Sequence, residues 1–108
     1  MNIDTEDKEA YTIIKFEGEV DLSCSPDARQ SILSNLEENK NVLVDLAEVT
    51  YIDSSGVATL VEGYQTAKKG SLNFGLVGVS DAAMSVLKLA RLDQVFPIFE
   101  TTSDYERE

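Results

Sequence analysis

Between Val42 and Tyr64 the chain changes its hydrophobic period. Val42-Leu43-Val44-Asp45-Leu46 is a mostly apolar run of β-branched and aliphatic residues, the composition of a strand covered on both faces. From Val57 the apolar positions fall at Val57, Leu60, Val61 and Tyr64, the i, i+3, i+4, i+7 spacing of a helix with one buried side. Tyr51-Ile52 reads as a short bridge between the two that buries its side chains. The helix starts at Ser54 or Ser55 and runs to Lys68 or Lys69, where basic residues suit the negative end of the dipole and Gly70 closes it.

The same reading extends in both directions. Residues 3 to 8 alternate faintly and suit an edge strand. Tyr11 to Gly18 is a stronger strand, rich in β-branched and aromatic residues, and the short Asp7-Lys8-Glu9-Ala10 link makes the pair a hairpin. Gly18-Glu19-Val20-Asp21-Leu22 is a loop or a bent strand end. Ser25-Pro26-Asp27 opens a first helix, with Ser25 as N-cap and Pro in the first turn. That helix runs to about Glu38 and buries Ala28, Ile32, Leu33 and Leu36.

After Gly70, Leu72 to Val79 is a further buried strand, and Ser80-Asp81 caps a third helix with Ala83, Val86, Leu87 and Ala90 inward. Leu92 to Phe99 returns to the sheet, with Pro97 keeping it at an edge or ending it. The last nine residues are polar and form a short helix from Ser103-Asp104 or fray. Alternating strands and helices from residue 42 onward predict parallel pairing with helical crossovers, and the N-terminal hairpin makes the sheet mixed. The predicted fold is α/β, with four to five strands and helices packed against the sheet. At 108 residues the chain is expected to form one domain, 1–108.

Composition narrows the function. Nine Lys and Arg against twenty Asp and Glu give a formal charge of −11, which repels phosphate backbones and anionic headgroups, so no nucleic-acid partner is expected. No apolar run approaches the roughly 18 residues needed to cross a bilayer, so no membrane insertion is expected. The acidic N-terminus lacks the pattern of a signal peptide, which places the expected location in the cytoplasm. There is no histidine and one cysteine, Cys24. Histidine-based triads and multi-Cys metal sites are thereby excluded, and no Gly-rich Lys-Ser/Thr phosphate loop is present. The chain is expected to need no cofactor and not to be an enzyme.

The polar residues crowd at Asp53-Ser54-Ser55-Gly56, where strand gives way to helix. These residues are good acceptors for the free N–H groups of a first helical turn. A serine hydroxyl on an exposed helix N-terminus is also a natural place for a phosphate, because the N–H groups and dipole favour negative charge there. A second feature lies beside the apolar face, where Gly56, Thr59, Gly63 and Thr66 form a stripe with almost no side-chain relief. An interior Gly costs about 1 kcal/mol against Ala in a helix, so Gly63 needs a reason. Close packing within the protein and a low-profile docking surface both supply one.

Gly18-Glu19-Val20-Asp21, then Asp45-Leu46 through Tyr51-Ile52-Asp53-Ser54-Ser55-Gly56-Val57, Leu76-Val77-Gly78-Val79-Ser80 and Leu89-Ala90-Arg91-Leu92-Asp93-Gln94-Val95-Phe96 together resemble the STAS family, most closely the bacterial anti-anti-sigma factors (anti-sigma factor antagonists). The resemblance covers nearly the whole chain and implies a STAS-like mixed sheet with Asp21 near Asp53 and Ser54. It implies that Ser54 is a phosphate acceptor, that Ser55 caps or supports the loop, and that Asp21 and Asp53 orient the site or join a docking face with Gly56, Thr59 and Gly63. The implied partners are an anti-sigma factor serine kinase of the GHKL type, bound by the unphosphorylated chain so that its sigma factor is released, and a phosphatase. STAS domains also serve as regulatory subunits of membrane transporters, including lipid-transporting ABC systems, so a transporter ATPase is the alternative partner.

Overall fold

Residues 1–107 are described by a computed structural model. The predicted hairpin is present as β1 (Asn2–Asp7) and β2 (Thr12–Val20), which pair antiparallel from Asn2 with Glu17 to Asp7 with Thr12. A first helix, α1 (Ser25–Glu37), leads to β3 (Val42–Ile52), parallel to β2. The second helix, α2 (Ser54–Lys69), leads to β4 (Phe74–Val77), and α3 (Asp81–Leu89) with a 3₁₀ turn at Leu92–Gln94 leads to β5 (Ile98–Phe99). A short α4 (Thr102–Glu106) follows. The five strands lie in sequence order across one mixed sheet.

One face of the sheet carries the main core. Ile14, Phe16, Val44, Leu46 and Leu76 meet Ala28 and Ile32 of α1, Leu60 and Ala67 of α2, and Ala83 and Leu87 of α3, all buried. The opposite face holds a smaller cluster of Tyr11, Leu43 and Val77, against which Phe99 and Tyr105 pack. Tyr105 reaches it because α4 is held by a reciprocal capping box between Thr101 and Asp104.

Several elements depart from the sequence reading. β3 is eleven residues long, not confined to 42–46. Beyond Asp45 it has lost β4 and pairs only with β2, so its burial becomes intermittent. Tyr51 is consequently 50% exposed while Ile52 is buried, because neighbouring strand residues face opposite ways. Register shifts interrupt the β2 and β3 pairing at Lys15 to Glu17 and at Gly18 to Glu19. Gly18 occupies φ +95° there, a backbone region that glycine enters readily.

The N-cap of α1 is Cys24, without a side-chain cap bond, whereas Ser25 lies buried inside the first turn. The backbone carbonyl of Asp21 takes over the anchoring, accepting from the N–H groups of Cys24 and Ser25 at 3.1 and 2.8 Å. Helix α3 ends at Leu89, and Ala90, expected inward, is its exposed C-cap. The returning strand shrinks to two residues after Pro97, since Arg91 enters the left-handed region and Leu92–Gln94 coils.

Candidate functional site at the start of helix α2

β2 and β3 end side by side, with Val20 opposite Ile52, and the Asp53 N–H donates to the Val20 carbonyl at 3.1 Å. This pairing brings the two acidic turns together. Each turn closes by the same device, an aspartate that binds the serine two residues later. Asp53 Oδ1 accepts from the Ser55 N–H at 2.9 Å, the Gly56 N–H at 3.0 Å and the Ser55 hydroxyl at 2.6 Å. Asp21 Oδ1 accepts from the Ser23 N–H at 3.0 Å and from the Ser23 hydroxyl. An Asx turn of this kind satisfies backbone donors before a helix or bend and holds the loop in one conformation.

The electrostatics follow from these bonds. The Ser55 hydroxyl and the Gly56 N–H hold the Asp53 carboxyl below its ordinary value of 3.8, and Ser23 does the same for Asp21. The Asp53 charge opposes the second effect slightly, which places the two carboxylates within each other's field. Both are therefore ionised at neutral pH.

The sign of the pH dependence is fixed. A carboxyl with a depressed folded-state pKa stabilises the fold at pH values above its unfolded pKa and loses that contribution as pH falls through the folded value. Asp53→Asn should thus flatten the loss of thermal stability on acidification below about pH 4, where wild-type carboxyls titrate. Melting temperatures from pH 7 to pH 2.5 check this; parallel curves for the two proteins would contradict it.

Ser54 stands at the first position of α2, directly after the capping aspartate. Its side chain is exposed, and among the described residues no hydrogen bond engages its hydroxyl. Ser55 differs: it is half-buried and its hydroxyl is committed to Asp53. Asp21, Asp53, Ser54 and Ser55 are thus brought together at one tip of the molecule. Leu22, 73% exposed, and Tyr51 flank it. The sequence reading gave Leu22 no role and expected Tyr51 to be buried, although an apolar Leu22 between Asp21 and Ser23 in a polar turn was visible.

The small-residue stripe lies elsewhere. Gly56, Thr59 and Gly63 are buried and face the interior, so the docking surface expected of them is not formed. A Cβ on Gly56 would lie 2.7 Å from Ile52 Cγ1 and 3.0 Å from the Val20 carbonyl oxygen; one on Gly63 would lie 2.8 Å from Ile32 Cγ2 and 2.9 Å from Phe74 Cε2. The Thr59 hydroxyl donates to the Ser55 carbonyl at 3.0 Å. These residues let α2 approach the ends of β2 and β3, α1 and β4, which fixes Ser54 at its tip. Among the described residues, no group of three or more His, Cys, Asp or Glu is placed to hold a metal ion, and no helix is long and apolar enough to cross a membrane.

Comparison with known proteins identifies the family and the fold. An anti-sigma-B factor antagonist of Listeria monocytogenes is 28% identical over 102 residues, covering 91% of this chain and 90% of that protein. The crystal structure of an anti-sigma factor antagonist from Mycobacterium paratuberculosis superposes with a TM-score of 0.86 at 26% identity, covering 95% of this chain and 88% of that one. The Bacillus cell fate determinant SpoIIAA in its phosphorylated form shares the fold, with a TM-score of 0.77 at 16% identity over 98% of this chain and 97% of that one. The STAS domain pattern itself matches residues 2–105, from the first strand through Tyr105 in α4, and on that match the chain belongs to the STAS domain family.

Proposed function

We propose that the chain is a single cytoplasmic STAS domain acting as an anti-sigma factor antagonist whose partner binding is controlled by phosphorylation of Ser54. Unphosphorylated, it binds an anti-sigma factor serine kinase of the GHKL type and displaces that kinase's sigma factor; a phosphatase resets it. The observation that carries the reading is the exposed, uncommitted Ser54 hydroxyl on the helix tip directly after the anchored Asp53 carboxylate, whose charge reaches Asp21. The names of the sequence relatives support it, and so does the existence of a phosphorylated structural neighbour.

The mechanism follows from charge. A phosphoserine adds about −1.5 to −2 charge and a bulky tetrahedral group. Helix N-termini ordinarily welcome such a group, but here the Ser55 and Gly56 N–H groups already bind Asp53. The new charge therefore stays at the surface beside Asp53, and a partner that covers the tip must strip it of water without the helix N–H groups to compensate. Burying it unpaired costs several kcal/mol, against about 1.4 kcal/mol per tenfold of affinity. Binding ends without a change of fold.

The transporter alternative comes from the same family resemblance, and the Gly56, Thr59 and Gly63 stripe, which would have served either partner as a dock, is buried. The phosphoswitch is tested with the cognate serine kinase and labelled ATP. Ser54→Ala should incorporate no phosphate, while Ser55→Ala, which removes a hydroxyl already bonded to Asp53, should retain incorporation. Equal labelling of Ser54→Ala and wild type would overturn the assignment.

A further inference from the structure

The far end of α2 carries a second feature, fourteen residues from Ser54 and so about 21 Å along the helix axis. There a cavity of about 220 Å³ opens between the last turns of α2, the start of β4, β5 and α4. Tyr64, Phe74, Phe99 and Tyr105 are among its lining residues. Phe99 and Tyr105 meet edge to face at 5.5 Å between ring centres, so the wall is built from aromatic rings already fixed against one another. The space exceeds the roughly 150 Å³ apolar cavity that holds benzene, and it is smaller than the 300 Å³ or more usual for drug-sized ligands. It suits a single ring or fused bicycle with a short side chain.

Two of its polar side chains, Lys68 and Tyr105, can donate, and Asn73 offers both a donor and an acceptor. The Lys68 ammonium lies 5.5 Å from the centre of the Tyr64 ring. Among the described residues Lys68, like Lys69, Lys88 and Arg91, pairs with no carboxylate, and of these four it is the one that lines the cavity. Asn73 Nδ2 donates to the Tyr105 oxygen at 3.1 Å, which leaves the tyrosine's own proton for an acceptor. An ammonium without a carboxylate partner and a phenolic donor among the lining of an aromatic pocket suit an anion attached to an apolar ring. The geometry points to a binding site for a small aromatic carboxylate, its ring among Tyr64, Phe74, Phe99 and Tyr105 and its carboxylate on Lys68.

Such a ligand would tie α4 to α2 and β4, because Tyr105 supplies one wall. The site is independent of Ser54, so its test is independent of the phosphoswitch. The probe is indole-3-acetate, titrated into the ¹⁵N-labelled full chain and followed by amide chemical shifts. A ligand of about thirteen heavy atoms at ordinary ligand efficiency gives a Kd near 1 mM. Saturable shifts confined to residues 64–75 and 97–106 are expected. Tryptophol, the neutral alcohol with the same ring, should bind about fivefold more weakly, and Lys68→Gln should lose a similar factor for the acid while leaving tryptophol unchanged. Non-saturating shifts, or shifts centred outside the groove, would overturn the site. Equal affinity of acid and alcohol would overturn the carboxylate assignment.

Discussion

Replacing Gly63 by valine should destabilise the protein by about 3 kcal/mol or more, enough to lower the melting temperature by more than about 10 °C for a domain of this size. The competing effect has the opposite sign and is smaller: replacing an interior helical glycine gains about 1 kcal/mol through helix propensity when the newcomer is alanine, and less than that for β-branched valine. Geometry decides which wins. Even the first added carbon would sit 2.8 Å from Ile32 Cγ2 and 2.9 Å from Phe74 Cε2. Both neighbours are buried, Ile32 completely, so neither has solvent to move into. Valine adds two further methyl groups at the same place. Thermal and urea unfolding measure the effect. An unchanged melting temperature accompanied by weakened partner binding would mean that the stripe faces outward as a dock after all.

Gly63 also shows how far the sequence carries. A Gly-Thr-Gly stripe states that something approaches α2 closely, and it does not state whether that neighbour belongs to the same chain. Only the positions of Ile32 and Phe74, brought in by α1 and β4, resolve the choice. The crossover architecture was legible because strand and helix periods alternate cleanly from Val42 onward, and because Ser80 and Gly70 mark helix ends that the structure places there. The length of β3 was not legible. Its second half is covered on one side only, so Ala47 to Ile52 follows neither the continuous apolar run of a buried strand nor a strict alternation.

The same distinction applies at the tip. That α2 would be capped by Asp53, Ser54 or Ser55 could be read from local chemistry, and the structure gives the role to Asp53, with two backbone N–H partners. That Ser55 would be locked and Ser54 free could not be read, since it depends on which hydroxyl points back at the carboxylate. The partnership of Asp21 with Asp53 came from family resemblance. Its physical cause is the Val20 to Ile52 pairing, which depends on register shifts set around Gly18.

Ser54→Asp is the second large effect, and it separates surface from core. The substitution should weaken binding to the anti-sigma factor kinase by about a hundredfold or more, since leaving one charge unpaired in an interface costs several kcal/mol. It should leave the melting temperature within a few degrees of wild type, because exposed positions away from packing rarely shift stability by more than about 0.5 kcal/mol. The side chain is exposed and no bond is lost. Calorimetric titration and thermal melts of the same preparations give both numbers. A steep fall in melting temperature with unaltered affinity would leave Ser54 as nothing more than part of a helix start.

The central claim is that charge placed at Ser54 decides whether the tip can be covered by another protein. It is tested most directly by treating the chain with its serine kinase, separating the phosphorylated form, and titrating both forms against that kinase without ATP. The account predicts a stable complex with the unmodified chain, no measurable complex with the chain phosphorylated at Ser54, and full recovery after phosphatase treatment. Equal affinity for the two forms, with the phosphate mapped to Ser54, would contradict it.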